Sequence, residues 1–217
     1  MEELIAFWPN MIFILQGVKI TLQYSISSVI FGFIIAILLA AGKVAPIKAI
    51  NIFCYCYTSI FRGTPLLIQL SIIYFGIPTI FPEANLSVFA AGIIAFSLNS
   101  GAYVSEIVRA GIESVDHGQK EAAKALGIPP LLMFKDIILP QALRYILPAL
   151  VNELINLIKE SAIISVIGEM DLMRRAQIVS AETYNVFIPM LTAAAAYYIL
   201  VFIVSNLAIL IEKKLNA

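Results

Sequence analysis

Residues 118–140 read GQKEAAKALGIPPLLMFKDIILP, the longest charged interval between two strongly apolar regions. The first half is written as a short helix. Residues 119–126 are mostly strong helix formers, and Ala122, Ala123 and Ala125 keep the side-chain layer thin enough for another backbone to approach. Gly127 stands where a left-handed C-cap is wanted, and Pro129-Pro130 stop the helix. A further turn or two is expected over 131–139, ending at Pro140, which suits the start of another helix. The stretch predicts a helix–break–helix knob, polar enough for water, with an apolar tip of Leu132, Met133 and Phe134.

The regions on either side belong in a bilayer. With 61% hydrophobic residues, 13% charged residues and a mean hydropathy of +0.94, the chain has too little polar material to cover a globule of its size. The expected class is an all-α, polytopic integral membrane protein forming a single domain over 1–217. A formal net charge of zero argues against a nucleic-acid partner. Cys54 and Cys56, two apart in an apolar run, point to different sides of a helix, so neither a disulfide nor a metal site is expected. The acidic start MEELIAFWPN lacks the basic region of a cleaved signal peptide, and residues 1–16 read as a short interfacial segment.

The knob carries a spaced pattern: Glu121-Ala122-Ala123, three residues, Gly127, nine residues, Ile137, one residue, Leu139-Pro140. This resembles the EAA loop of the membrane subunits, or permeases, of bacterial ABC importers, with every spacing kept. The resemblance implies that 112–139 is a cytoplasmic coupling loop, with Gln119, Glu121, Ala122, Ala123 and Gly127 contacting the ATP-binding subunit. No GxxxxGK[ST] occurs, so the chain cannot cradle nucleotide phosphates itself. ATP would be used by a separate subunit and no cofactor is expected in this chain.

Five transmembrane helices are expected, near 17–42, 50–76, 86–109, 140–168 and 187–211. The second is interrupted by Arg62-Gly63-Thr64-Pro65, a charge and two helix breakers that hydrocarbon tolerates only against protein or a cavity. The stretch FRGTPLLIQ at 61–69 resembles the same place in polar amino acid permeases, as does AYVSEIVRAG at 102–111. That resemblance favours an unwound corner lining a pathway over a plain loop, and makes Arg62 and Thr64 candidates for substrate contact. Pro78, Pro82, Glu83 and Asn85 form the next turn. Asn99, Tyr103 and Glu106 fall on one helical face, with Arg109 one turn on as a partner for Glu106. Pro148 is expected to kink the fourth span.

Orientation follows the basic residues. Lys43, Lys48, Arg109, Lys120, Lys124, Lys135, Arg144, Lys213 and Lys214 share one side, against Arg174 and Arg175 on the other. The N-terminus is expected outside, and the 112–139 loop and C-terminus in the cytoplasm, in a bacterial inner membrane.

The fourth span contains NELINLIKE at 152–160. At a helical period, Asn152, Glu153, Asn156, Lys159 and Glu160 fall within an arc of about 120°. Ionisable groups at membrane depth are functional candidates. Glu153, Asn156, Lys159 and Glu160, with Asn99 as a neighbour, are the expected substrate-binding residues. The alternative is an ion-paired seam among Lys159, Glu160 and Asn156. Two carboxylates against one ammonium leave an excess of negative charge suited to arginine, lysine or histidine. Glutamine or another polar amino acid is the alternative substrate.

Other chemistry is missing. HExxH, GxSxG and CxxC do not occur, Lys159 and Ser161 diverge on a helix, and His117 lies alone in a charged loop. Neither a catalytic nor a metal site is expected. The rival from another class is an ion-coupled secondary transporter, which usually shows inverted repeats; none is visible. The family resemblance implies two ATPase subunits, an extracytoplasmic amino acid-binding protein and a second permease, a homodimer being favoured over a paralogous pair.

Overall fold

The structure, a computed structural model, describes residues 2–84 and 86–215. Asn85 of the expected turn, and the side chains of Glu2, Glu3, Lys213 and Lys214, lie outside the described residues. Helix α1 (Glu2–Leu15) runs almost directly into α2 (Gly17–Lys43), so 7–43 is one apolar rod of 37 residues. The expected interfacial segment is thus a helical extension of the first span, and it packs against the C-terminal part of the chain. After Lys43 come α3 (Lys48–Gly63) and α4 (Leu66–Ile80), then α5 (Val88–Glu113), which Ser87 caps by accepting the Ala90 N–H. Helix α6 (His117–Ala125) comes next, capped by Asp116. Then come α7 (Leu139–Glu160), α8 (Leu172–Thr183) and α9 (Phe187–Leu215). Among the described residues, no strand occurs.

Among the described residues, three helical stretches are long and apolar enough to cross a membrane: 7–43, α5 and the Phe187–Leu210 part of α9. A fourth span exists if α3 and α4, bent by 105° at their break, count as one. Helix α7 is 22 residues long but carries the polar stripe at 152–160, which keeps it outside that apolar class.

Two prolines are preceded by widened turns. A π-helical turn spans Ile72–Gly76 before Pro78, and another spans Met133–Ile138 before Pro140. Proline lacks an N–H and crowds the carbonyl one turn back, so a local change of hydrogen-bond step lets the helix continue. Consequently Pro140 does not begin a new helix as expected. The helical path starts at Pro130 and passes through Pro140 into α7.

The centre of the bundle is α2 packed on α5, with α7 against both. Small residues make this possible: Ser25, Ser28, Gly32 and Ala36 on α2 meet Ala91, Ala95, Gly101 and Ala102 on α5, all buried. At Gly32 a Cβ would lie 2.9 Å from Ser100 Cβ and 3.1 Å from the Gly101 nitrogen, so only glycine permits this approach. Tyr24, Leu66, Leu70, Phe96, Leu157 and Ile164 fill the neighbouring core. A second core joins Ile14 to Leu172, Ala176, Val179, Ala193 and Ala196, and so holds α1, α8 and α9 together.

Helix α8 lies in what reads as a polar connection at 169–185. Asp171, wholly buried, caps it by accepting the N–H groups of Met173 and Arg174 and the Tyr197 hydroxyl at 3.2 Å. Burial pushes the Asp171 carboxyl up to about 6, while these donors pull it the other way.

Candidate functional site

The break between α3 and α4 is held rather than loose. Thr64 is extended, with φ −123° and ψ 145°, as expected of a residue before proline. The freed backbone groups find side chains. Gln69 donates from Nε2 to the Phe61 carbonyl (2.9 Å), the Thr64 carbonyl (3.0 Å) and the Thr64 hydroxyl (2.9 Å). Its Oε1 accepts from Asn99 Nδ2 at 3.0 Å, and Asn99 also reaches the Phe61 carbonyl. Asn99 and Gln69 are both buried. The Asn99 amide nitrogen and the Thr64 hydroxyl and carbonyl, expected at the substrate, are engaged within the corner. Gln69 is not among the residues that the sequence pattern singles out, although a lone amide in an apolar run at membrane depth is itself a signal. Gln69→Leu should leave Asn99 and the Phe61 and Thr64 carbonyls short of partners, at about 1–3 kcal/mol for each orphaned group. Thermal unfolding in detergent checks this; an unchanged midpoint would mean that the corner is held otherwise.

The Asn99–Tyr103–Glu106 face of α5 is the bed for this corner. Asn99 takes Phe61, the Tyr103 ring lies 5.5 Å from the Arg62 guanidinium, and Glu106 Oε2 is 3.7 Å from Arg62. Glu106 is the hub of a charge cluster. Lys43 Nζ donates to its Oε1 at 2.5 Å, and Arg109 forks onto Oε2 at 3.0 and 2.9 Å. Arg109 also reaches Glu113 at 2.6 Å. Lys43, which reads as a loop residue, has only 4% of its side chain exposed.

On α7, Glu153 is buried against α5, its carboxylate close to the Ser100 hydroxyl without hydrogen-bond geometry. Asn156, Lys159 and Glu160 are on the open side of the helix. Among the described residues, no ion pair or hydrogen bond joins Glu153, Asn156, Lys159 or Glu160 to one another; the ion pairs lie around Glu106 instead. Asn156, Lys159 and Glu160 are thus unpaired and accessible in the single chain, whereas Glu153 is unpaired and buried. Arg62 reaches the Glu106 cluster, not the α7 stripe.

Helix α6 ends in a Schellman motif. The Ile128 N–H bonds the Ala123 carbonyl and the Gly127 N–H bonds the Lys124 carbonyl, both at 3.0 Å, with Gly127 at φ 71°. Gln119, Glu121 and Ala122 are exposed, as are Leu126, Leu131 and Leu132, whereas Ala123 is buried.

Comparison with known proteins places this geometry. The family described as binding-protein-dependent transport system inner membrane component matches residues 28–217. The putative glutamine transport system permease protein of Rickettsia conorii is 64% identical over 214 residues, covering 99% of this chain and 98% of that one. The arginine transport system permease protein of Bacillus subtilis is 49% identical over 209 residues, covering 96% and 95%. A solved structure, the crystal structure of an amino acid ABC transporter with histidines, superposes with a TM-score of 0.90 at 41% identity, covering 98% of this chain and 97% of that one.

Proposed function

We propose, for a chain that belongs to the binding-protein-dependent transport system inner membrane component family, that the acid-rich stripe of α7 receives a cationic amino acid. The chain is a permease subunit of an amino acid ABC importer, a multi-pass inner-membrane component and not an enzyme. Such permeases work with ATPase and binding-protein partners. The observation that carries the substrate reading is the pair of carboxylates on one side of α7, Glu153 buried and Glu160 open, neither in an ion pair among the described residues and with Lys159 as the one cation of the stripe. A surplus carboxylate at membrane depth suits a guanidinium, ammonium or imidazolium. A relative named for arginine, and a related transporter solved with histidines, support it. Glutamine is the second reading, favoured by the name of the 64% identical relative. Uptake by the reconstituted importer, with its binding protein and ATPase, across arginine, lysine, histidine and glutamine decides between them. ATP-driven uptake confined to glutamine would overturn the cationic reading.

The remaining architecture is proposed on the same footing. Helix α7 makes a fifth span, because its open polar stripe needs a protein or water-filled partner and not lipid. A second copy of this chain, or a paralogue, supplies that partner, a homodimer being favoured because one chain holds both stripe and knob. Two ATPase subunits bind ATP, and α6 docks on them as a coupling helix through Gln119, Glu121, Ala122 and the Gly127 turn. With the N-terminus outside, Glu83→Cys should react with an impermeant thiol reagent added externally and Lys120→Cys should not, in a background lacking Cys54 and Cys56. The reverse labelling would invert the orientation.

A further inference from the structure

Between the stripe of α7 and the cap of α8 the chain changes its helical step. Ser161–Ile167 is a 3₁₀ helix of seven residues that follows directly on Glu160. Such runs rarely exceed three or four residues, and a longer one marks a hinge or a strained sequence. The residues themselves do not ask for it: SAIISVI holds neither glycine nor proline. Tertiary ties hold it instead. At its far end the Gly168 N–H bonds the Ser165 carbonyl and the Glu169 N–H bonds the Ile164 carbonyl, with Gly168 at φ 88°. Just beyond, Glu169 Oε2 accepts the Tyr24 hydroxyl at 2.7 Å, and Asp171 caps α8 and accepts the Tyr197 hydroxyl. Ile164 and Ile167 are buried in one core with Tyr24, Leu66 and Leu70. The segment is drawn out between α7 and this fixed end.

Three residues per turn put Ser161, Ile164 and Ile167 on one edge, all buried, and Glu160, Ile163 and Val166 on another. Glu160 and Val166 are exposed and Ile163 is half-buried. Winding the segment into an α-helix would shorten it by about 0.5 Å per residue, about 3.5 Å in all. With α7 held, it would also turn Ile163 by about 60° and Val166 by about 120° about the axis, away from Glu160 and onto the side of Asn156 and Lys159. We propose that 161–167 is a shutter at the end of the α7 stripe. As a 3₁₀ helix, held by the Tyr24–Glu169 tie, it leaves Asn156 and Lys159 open; wound as an α-helix, it lays Ile163 and Val166 across them. The inference rests on the reading of the stripe as the place where the amino acid passes. Two branched apolar side chains over that lane deny a zwitterion any polar contact there.

Cadmium bridging between cysteine pairs reads the helical step. Cysteines four apart share a face on an α-helix and diverge by about 120° on a 3₁₀ helix, whereas cysteines three apart are neighbours on both. The pairs are Ala162→Cys with Val166→Cys and Ile163→Cys with Val166→Cys, in the permease–ATPase complex in nanodiscs and in a background lacking Cys54 and Cys56. Val166→Cys alone reports bridging between copies. Protection of the thiols from a maleimide should need about ten-fold more cadmium for the 162/166 pair than for the 163/166 pair. Adding Tyr24→Phe, which removes the hydroxyl and keeps the ring, should erase most of that difference. In the reconstituted importer, cadmium should abolish uptake through the 162/166 pair, reversibly with a chelator, and leave most uptake through the 163/166 pair. Equal bridging of the two pairs in the parent would overturn the proposal, as would a 162/166 pair that Tyr24→Phe does not affect. So would a bridged 162/166 pair that carries amino acids as it does without cadmium. An importer that carries no amino acid even without cadmium would overturn the reading of the stripe, and the shutter with it; the bridging comparison, which needs no transport, would still show whether the segment changes its step.

Discussion

Gly127→Val is expected to abolish ATP-driven transport while the permease still inserts in the membrane. Gly127 has φ 71°, a backbone region in which a β-branched residue is a genuine outlier. Space is not the difficulty, because a Cβ there would meet nothing within 4 Å. The cost is conformational. The turn joins two hydrogen bonds, Ile128 N–H to Ala123 and Gly127 N–H to Lys124, and these end α6 and set its angle to the helical path that starts at Pro130. If α6 is the coupling helix, a displaced turn misplaces Glu121 and Ala122 on the ATPase. Gly127→Asn, which tolerates the left-handed region, should retain most activity. The checks are membrane insertion, co-purification of the ATPase and ATP-dependent uptake. Normal coupled uptake by Gly127→Val would show that the left-handed cap does not position the helix.

Glu106→Gln should destabilise the permease severely, by about 3–5 kcal/mol, because it leaves the Lys43 ammonium without its counter-charge. Lys43 is 4% exposed and Glu106 19%. The pair ties the end of α2 to α5, and Arg109 and Arg62 add the rest of α5 and the broken corner. Replacing both Lys43 and Glu106 by apolar residues of similar volume should cost less than Glu106→Gln alone, since no buried charge is then orphaned: Arg62 and Arg109 are partly exposed and Arg109 keeps Glu113. Unfolding midpoints of the two single variants and the double variant measure the coupling. Additive effects would mean that the two charges do not support each other.

Much of the fold is legible in the sequence. The knob, its glycine and the break at 62–65 are written in residues with one strong local preference each, and local preference survives into the fold. The shared face of Asn99, Tyr103 and Glu106 is also legible, because helical spacing alone defines it. Its use is not: periodicity says which residues lie together, not what lies opposite, and Phe61 and Arg62 come from 38 and 44 residues earlier. For the same reason the partnership of the Asn99 amide with Gln69 is not legible in the sequence. Helix α8 escapes a sequence reading because its stability comes from the second core and a buried Asp171 cap, neither of which is a property of residues 172–183 themselves. The continuation through Pro140 escapes it because proline usually marks a first turn, and only the π-helical turn before it reconciles the two.

The most direct test of the account is the substrate profile of Glu153→Gln, Glu160→Gln and their double variant in the reconstituted importer. Glutamine in place of glutamate preserves shape and hydrogen-bonding capacity and removes charge. A hydrogen bond to a charged partner is worth about 1.5–3 kcal/mol, so uptake of arginine, lysine and histidine should fall by about ten-fold or more. Any uptake of a neutral amino acid should suffer less. If all three variants carry arginine, lysine and histidine as the parent does, the stripe on α7 is structural and the cationic amino acid assignment is wrong.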